Sequence, residues 1–211
     1  MTLTQAIPGV ILAGGLSSRM GQDKARIRLG GASLIDRAAR RLRPQVSSLA
    51  INTNGPILLE PGEELPVFAD LDASRSGPLG GVLAALDHVK RNHPEASHVA
   101  TVPTDSPFFP TDLVARLSRA VDTQERIVAA RSASGPHPVF ALWPVALIDD
   151  LSAWLASGGA LRVRSYLERR QAREVLFPTI ETPRGAFDPF FNINTPDDLD
   201  TAENWLWVLE R

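Results

Sequence analysis

The sequence predicts an α/β fold in which a mainly parallel sheet is covered by helices on both faces. Two observations lead to this prediction. Short apolar runs, typical of strands buried on both sides, alternate along the chain with longer segments whose apolar residues recur at helical spacing. The chain also has 211 residues, 44% of them apolar, which is enough for a substantial core, and we expect residues 1–211 to form a single domain.

The elements follow in chain order from these two patterns. Apolar runs that end in polar or turn-forming residues predict strands at 10–13, 49–52, 66–68 and 99–102, and two further strands near 126–130 and 139–142. Apolar residues on one helical face predict helices within 34–42, 82–89 and 113–121. A last helix is expected from about Pro196. Flexible segments are expected at the first few residues and in the loops at 54–64 and 181–188.

Composition excludes several classes of protein. The net charge of −2 gives no sequence-wide electrostatic case for binding nucleic acid or an acidic membrane. No run of about 18 apolar residues and no signal-peptide pattern is present. The absence of cysteine excludes disulfides, thiolate catalysis and cysteine-based zinc sites, and it fits a cytoplasmic protein. We therefore expect a cytoplasmic protein with neither nucleic acid nor membrane as a partner.

The first predicted strand runs into a glycine-rich loop, and segment 12–24 reads LAGGLSSRMGQDK. Glycines let the main chain approach a ligand closely, so that successive N–H groups point at one anion while Arg19 and Lys24 neutralise its charge. The loop is not a Walker loop, because five residues separate Gly15 from Gly21 where that motif allows four. The Gly-x-Gly-x-x-Gly dinucleotide fingerprint is also missing. The segment therefore predicts the handling of nucleotide phosphates.

Ligands of open α/β sheets bind beyond the carboxyl ends of the strands, where this chain places Asn52, Asp70 and Asp105. Asp105 lies in a loop stiffened by prolines, and a single carboxylate with phosphate oxygens and water is how Mg²⁺ is usually held. The alternative is that Asp105 caps the next helix. Asp70 can accept hydrogen bonds from N1–H and the amine of guanine, or it can be an ordinary turn residue. Gly77 precedes a helix whose N-terminus favours anions.

Two further motifs lie late in the chain. His137 stands between two prolines ahead of a predicted strand, and a structural or substrate-shaping role is favoured, because attack by an ionised phosphate needs no base. Asn192 and Asn194 have strand spacing and are expected to face the same side. They precede Thr195, which has the position of a helix N-cap.

Five motifs together resemble the molybdenum cofactor guanylyltransferases, in the order in which that family carries them. They are segment 12–24, Gly-Pro-Leu-Gly-Gly at 77–81, Asp-Ser-Pro at 105–107, His-Pro-Val-Phe-Ala-Leu at 137–142 and Asn-Ile-Asn-Thr-Pro at 192–196. The resemblance covers nearly the whole chain; the first motif alone is shared with many nucleotidyltransferases. It implies a Rossmann-like nucleotidyltransferase that uses GTP and Mg²⁺ to guanylylate molybdopterin, forming the guanine dinucleotide cofactor and pyrophosphate. It also implies partner proteins that deliver molybdopterin, and molybdoenzyme chaperones that receive the product.

The resemblance assigns roles to individual residues. By matching positions, GTP is bound by Leu12, Ala13, Gly14, Lys24, Asn52, Asp70 and Asp105. Asp105 also binds Mg²⁺, and Arg19 and Lys24 act with it in catalysis by neutralising charge on the leaving pyrophosphate. The remaining candidates for the nucleotide site are Gly15, Gly77, Asn192 and Asn194.

Two other functions stay open at this point. One is a cytidylyltransferase acting on the same pterin, or a nucleotidyltransferase acting on a sugar or polyol phosphate. Such proteins often read Leu-Ala-Ala-Gly at the first turn, so Gly14 after Ala13 favours guanine. The other is a non-catalytic nucleotide-binding regulatory subunit, which would not need Asp105 and both cations of the glycine-rich loop.

Overall fold

The computed structural model describes residues 7–13, 27–57, 59, 64–72, 77–158 and 161–209. The strands are β1 (Gly9–Leu12), β2 (Arg28–Leu29), β3 (Ala32–Ser33), β4 (Leu49–Asn52), β5 (Val67–Phe68), β6 (His98–Pro103), β7 (Val128–Ser132), β8 (Gly135–Pro144), β9 (Arg173–Leu176), β10 (Ile180–Thr182) and β11 (Gly185–Phe187). The helices are α1 (Leu34–Leu42), α2 (Pro78–Asn92), α3 (Leu113–Arg119), α4 (Ile148–Ala156), α5 (Val163–Arg169) and α6 (Pro196–Leu209).

Seven strands form the central sheet in the order β5-β4-β1-β6-β8-β7-β9. The pairs β5/β4, β4/β1, β1/β6 and β7/β9 are parallel, and β8 is antiparallel to both β6 and β7. Since Thr101 of β6 lies opposite Ala141 of β8, the first residues of β8 lie at the level of the residues that follow β6. One reversed strand thus brings its N-terminal half to the edge where the parallel strands end.

Apolar side chains pack on both faces of this sheet. Alternation along β1 places Ile11 in the core shared with α1 and α3, and Val10 and Leu12 in the core shared with α2, α4 and α5. Each side chain is nearly fully buried, and burying one contributes about 1.5–3 kcal/mol before entropy is counted. The predicted fold class, a mainly parallel sheet covered on both faces, is confirmed.

A third apolar cluster joins the end of the chain to the middle. It contains Phe108 from the loop after β6, Ile193, and Ala202 and Leu206 of α6. Helix α6 begins with a capping box, because Asp198 N–H donates to Thr195 Oγ1 at 3.1 Å and Thr195 N–H donates to Asp198 Oδ2 at 2.9 Å. The cluster therefore holds the segment before α6 against the loop that carries Asp105.

The structure corrects three local predictions. His137 lies inside β8, which begins at Gly135, rather than ahead of a strand. Much of the loop at 181–188, expected to be flexible, belongs to the antiparallel hairpin β10–β11. Asn192 and Asn194 are not in a strand. The first few residues and part of the 54–64 loop lie outside the described residues. Across the described part of the chain, no helix has the length and apolarity needed to cross a membrane.

Candidate active site

A cavity of about 250 Å³ lies at the edge of the sheet where the parallel strands end. Its walls come from the end of β1, the loop after β6, the first half of β8, the start of α2 and the segment before α6. The lining residues are Leu12, Ala13, Pro78, Pro103, Thr104, Asp105, Pro136, His137, Pro138, Val139, Phe140 and Asn192. This is the edge at which open α/β sheets bind ligands.

Asp105 is half-buried in the wall of this cavity, on a loop held at two points by the segment before α6. Ile193 N–H donates to the carbonyl oxygen of Asp105 at 2.8 Å. The fully buried Ser106 hydroxyl donates to Asn192 Oδ1 and lies 3.4 Å from Asp105 Oδ1. Asp105 does not cap the next helix, because α3 begins at Leu113.

The donors around Asp105 suit a hard divalent cation. The carboxylate shares the cavity wall with Thr104 and Asn192, whose side chains also carry oxygen. Among the described residues, no group of three or more histidine, cysteine, aspartate or glutamate side chains could enclose a metal. A single carboxylate fits a cation that takes its other ligands from phosphates and water, as Mg²⁺ does.

Asp70 is fixed by two asparagine side chains. Asn52 Nδ2 donates to Asp70 Oδ1 at 3.0 Å, and Asn54 Nδ2 donates to Asp70 Oδ2 at 2.9 Å, while Asp70 N–H donates to Asn54 Oδ1 at 2.9 Å. The carboxylate is therefore oriented rather than free to turn. Asn54 was not predicted; its signal is the spacing of two residues from Asn52, the same spacing that singled out Asn192 and Asn194.

Helix α2 approaches the Asn52 side chain, which holds this carboxylate, very closely. A Cβ atom built on Gly81 would lie 2.6 Å from Asn52 Oδ1 and 3.5 Å from Leu12 Cδ2. Gly77, with a φ of +152°, turns the chain into α2 in a conformation that favours glycine. The N-terminus of this 15-residue helix borders the cavity through Pro78, where the positive end of the helix dipole favours an anion.

Asn52 and Asp70 do not line the cavity itself, whereas Leu12 and Ala13 do. Gly81 of α2 lies between these two pairs of residues, since it is close to both Asn52 and Leu12. Asn52 therefore lies beside the same helix and strand end that border the cavity, and a role of Asn52 and Asp70 in one site with it stays a prediction.

His137 lines the cavity from β8 and stacks on Phe190, with ring centroids 4.3 Å apart and planes 19° apart. Its Nε2 atom lies 2.7 Å from Ser132 Oγ, which donates to Asp188 Oδ2 at 2.6 Å. Burial lowers the pKa of His137, and the nearby Asp188 carboxylate only partly opposes this. Burial alone would raise the pKa of Asp188, but hydrogen bonds from Ser132, Ser134 and the Phe190 N–H hold it below its ordinary value.

A bulge presents this part of β8 to the cavity. Along β7, Ala129 pairs with Ala141 but the next residue, Ala130, pairs with His137, so residues 138–140 have no partner on β7. The Thr101 hydroxyl supports the bulge from β6 by donating to the Val139 carbonyl at 2.6 Å.

The remaining predicted residues have different outcomes. Asn192 lines the cavity, but Asn194 does not, and its N–H donates to Asp198 Oδ2 at 2.9 Å. Only the first of the two asparagines therefore lies on the cavity wall, and a role of either in binding the nucleotide stays a prediction. Gly14, Gly15, Arg19 and Lys24 lie outside the described residues, and their roles stay predictions.

Comparison with known proteins gives a family match. Residues 9–174 match the model of the MobA-like NTP transferase domain. The chain is 51% identical to the molybdenum cofactor guanylyltransferase of Rhizobium meliloti over 203 residues, which cover 96% of this chain and 93% of that protein. It is 48% identical to the molybdenum cofactor guanylyltransferase of Rhizobium rhizogenes, covering 97% and 94% of the two chains.

Solved structures share the fold. Molybdopterin-guanine dinucleotide biosynthesis protein A from Archaeoglobus fulgidus superimposes with a TM-score of 0.69 at 24% identity, covering 95% of this chain and 99% of that one. The 4-diphosphocytidyl-2C-methyl-D-erythritol synthase of Anaerococcus prevotii gives the same TM-score of 0.69 at 13% identity, covering 98% of both chains. The fold alone therefore does not distinguish guanine from cytosine as the base.

Proposed function

This chain belongs to the MobA-like NTP transferase family, and on that premise we propose that it transfers GMP from GTP to molybdopterin, forming molybdopterin guanine dinucleotide and releasing pyrophosphate. Relatives of 40–51% identity over nearly the full chain carry the name molybdenum cofactor guanylyltransferase. The observation in the structure that carries the proposal is the position of Asp105, whose carboxylate lies on a clamped loop at the ligand-binding edge of the sheet.

The nucleotide is proposed to lie along the sheet edge, with its base towards β4 and β5. Asp70, oriented by Asn52 and Asn54, offers two carboxylate oxygens to the N1–H and amine of guanine, which adenine and cytosine do not present together. The main chain of Leu12 and Ala13 lies between this carboxylate and Asp105 in the strand order. That order supports base recognition at one end and phosphate chemistry in the middle.

Asp105 is proposed to hold a divalent cation, Mg²⁺, which when bound neutralises charge on the triphosphate. The terminal phosphate of molybdopterin attacks the α-phosphorus of GTP in line, so that one P–O bond forms and the bond to the departing pyrophosphate breaks with its electron pair. Arg19 and Lys24 are proposed to neutralise the pyrophosphate, and the positive end of the α2 dipole, which follows Gly77, is proposed to assist them. No covalent intermediate with the protein is needed.

Pyrophosphate release tests this proposal directly. The purified protein is assayed with Mg²⁺ and each of the four ribonucleoside triphosphates, with and without molybdopterin, and Asp105→Asn is the matched inactive control. We expect release only with GTP and molybdopterin together. Preference for CTP would replace the proposal by a cytidylyltransferase, and GTP binding without release under any condition would replace it by a regulatory nucleotide-binding subunit.

Three wider proposals follow from this function. We propose a cytoplasmic location, which the cysteine-free composition supports. Proteins that deliver molybdopterin, and molybdoenzyme chaperones that take up the product, are proposed as partners. Residues 1–211 are proposed to act as a single domain, because the cluster that contains α6 packs against the loop that carries Asp105.

A further inference from the structure

A cluster of side chains from two distant parts of the chain fixes His137 beside the cavity. Ser132 Oγ lies between His137 Nε2, at 2.7 Å, and Asp188 Oδ2, at 2.6 Å. Phe190 covers one face of the imidazole ring, and its own N–H donates to Asp188 Oδ1 at 2.9 Å. The imidazole is thus held by a hydrogen bond at one nitrogen and by stacking on one face.

The positions of the hydrogen atoms in this cluster determine the tautomer of His137. The Ser132 hydroxyl has one hydrogen, and the ionised Asp188 carboxylate, which can only accept, takes it. Ser132 Oγ therefore accepts from His137, so Nε2 carries the hydrogen. Burial lowers the pKa of His137, which keeps the ring neutral at pH 7 and leaves Nδ1 with a lone pair.

The order of the strands places His137 on the far side of Asp105 from the proposed base site. From β5 to β8 the sheet edge carries Asp70, then Asn52, then Leu12, then Asp105, and finally His137. With the base of GTP at the β4–β5 end and its phosphates near Asp105, the part of the cavity beside β8 remains for the second substrate.

The wall around His137 suits a planar, uncharged group better than a phosphate. Pro136, Pro138 and Phe140 flank the imidazole in the wall. Within the described residues, the cavity lining contains no lysine or arginine. A neutral imidazole among apolar side chains can accept a hydrogen bond but offers no charge to an anion.

We propose that His137, locked as the Nε2–H tautomer by Ser132 and Asp188, binds the nitrogen heterocycle of the acceptor by accepting a hydrogen bond at Nδ1 from one of its N–H groups. Ser132 and Asp188 are positioning residues that act through His137. The inference rests on the proposed function, because it takes the acceptor to be a pterin.

Steady-state kinetics with separate variation of GTP and molybdopterin test the proposal. His137→Phe retains a ring that can stack on Phe190 but lacks both nitrogens. We expect the KM of this variant for molybdopterin to be about tenfold higher than that of the wild type, which corresponds to the loss of one hydrogen bond. Its KM for GTP should stay within twofold of the wild-type value. His137→Asn, which places an amide oxygen near the position of Nδ1, should recover part of that loss, and His137→Gln, which reaches towards Ser132 instead, should not. An unchanged KM for molybdopterin in His137→Phe, or an increase in the KM for GTP instead, would overturn the proposal.

Nitrogen NMR of the protein labelled with ¹⁵N-histidine tests the tautomer without any activity. We expect the His137 signals, assigned by comparison with His137→Phe, to show Nε2–H and bare Nδ1 at pH 7.5, and Ser132→Ala to abolish that preference. A protonated Nδ1 in the wild type would overturn the inference even if the enzyme is active. A wild type that releases no pyrophosphate with GTP and molybdopterin would instead refute the proposed function, so the two failures are distinguishable.

Discussion

Replacement of Gly81 by alanine tests the link between α2 and the proposed base site. The new Cβ would lie 2.6 Å from Asn52 Oδ1, whereas its distance of 3.5 Å from Leu12 Cδ2 is an ordinary contact. Asn52 is 1% exposed and is held by its bond to Asp70, so its side chain cannot swing into solvent to relieve the overlap. It must instead move by roughly half an ångström to reach a tolerable contact.

Two opposing effects set the size of the change in stability. Alanine is preferred to glycine within a helix by about 0.5–1 kcal/mol. Weakening a hydrogen bond to a charged group costs about 1.5–3 kcal/mol. We therefore expect Gly81→Ala to lower the free energy of unfolding by about 1–2 kcal/mol, and to raise the KM for GTP because Asp70 loses its orientation.

Urea denaturation of a double-mutant cycle separates the two effects. In the Asn52→Ala background the overlap is absent, so Gly81→Ala should stabilise the protein by about 0.5–1 kcal/mol instead of destabilising it. The sign of the effect should therefore reverse between the two backgrounds. Stabilisation by Gly81→Ala in both backgrounds would refute the steric argument.

Four further predictions concern the catalytic and acid-sensitive groups. Asp105→Asn should reduce kcat by about 10²-fold or more with an unchanged melting temperature, and near-normal kcat at saturating Mg²⁺ would contradict its role as a metal ligand. Arg19→Ala and Lys24→Ala should each lower kcat/KM for GTP, while the melting temperature of the free protein hardly changes. Unfolding of either variant would show that the residue has a structural role instead. The wild type should prefer GTP to ATP by about tenfold or more, because each polar group left unpaired by the wrong base costs about 1–3 kcal/mol. Asp70→Ala should reduce this preference, measured by competition between the two nucleotides, more than it reduces kcat. The pKa of His137 is lower in the folded protein than in the unfolded chain, so the unfolded chain binds the proton first as the pH falls below about 6.5, and the free energy of unfolding should decrease over that range. Urea denaturation at a series of pH values should show a smaller decrease for His137→Phe than for the wild type. The same pH dependence in both proteins would contradict this prediction.

The parallel half of the sheet could be predicted because its signals are local. Strands β1, β4 and β6 consist mainly of apolar residues that are buried on both faces. Asn52 is the last residue of β4, and Asp105 lies two residues after the end of β6. Helix α5 was missed because most of its residues are polar or charged, and only Val163, Tyr166 and Leu167 are buried.

What could not be predicted depends on contacts between distant residues. The antiparallel direction of β8 is set by its neighbours in the sheet, and nothing in its own composition reveals it. His137 interacts with Ser132, which is nearby in sequence, and through it with Asp188, which is about 50 residues away. No sequence motif therefore predicts that these three residues lie together. Residues 181–188 were expected to form a flexible loop, but most of them belong to the hairpin β10–β11, and Phe187 anchors this hairpin in the third apolar cluster.

The two hydrogen bonds that clamp the Asp105 loop have a consequence for the nascent chain on the ribosome. Ile193 and Asn192 are made about 90 residues after Asp105, which at 5–20 residues per second is a delay of roughly 5–20 s. All seven strands of the central sheet are synthesised before these partners arrive. A copy whose synthesis stops short of residue 192 therefore carries the complete sheet but a carboxylate loop without its clamp, and unfinished copies should not consume GTP.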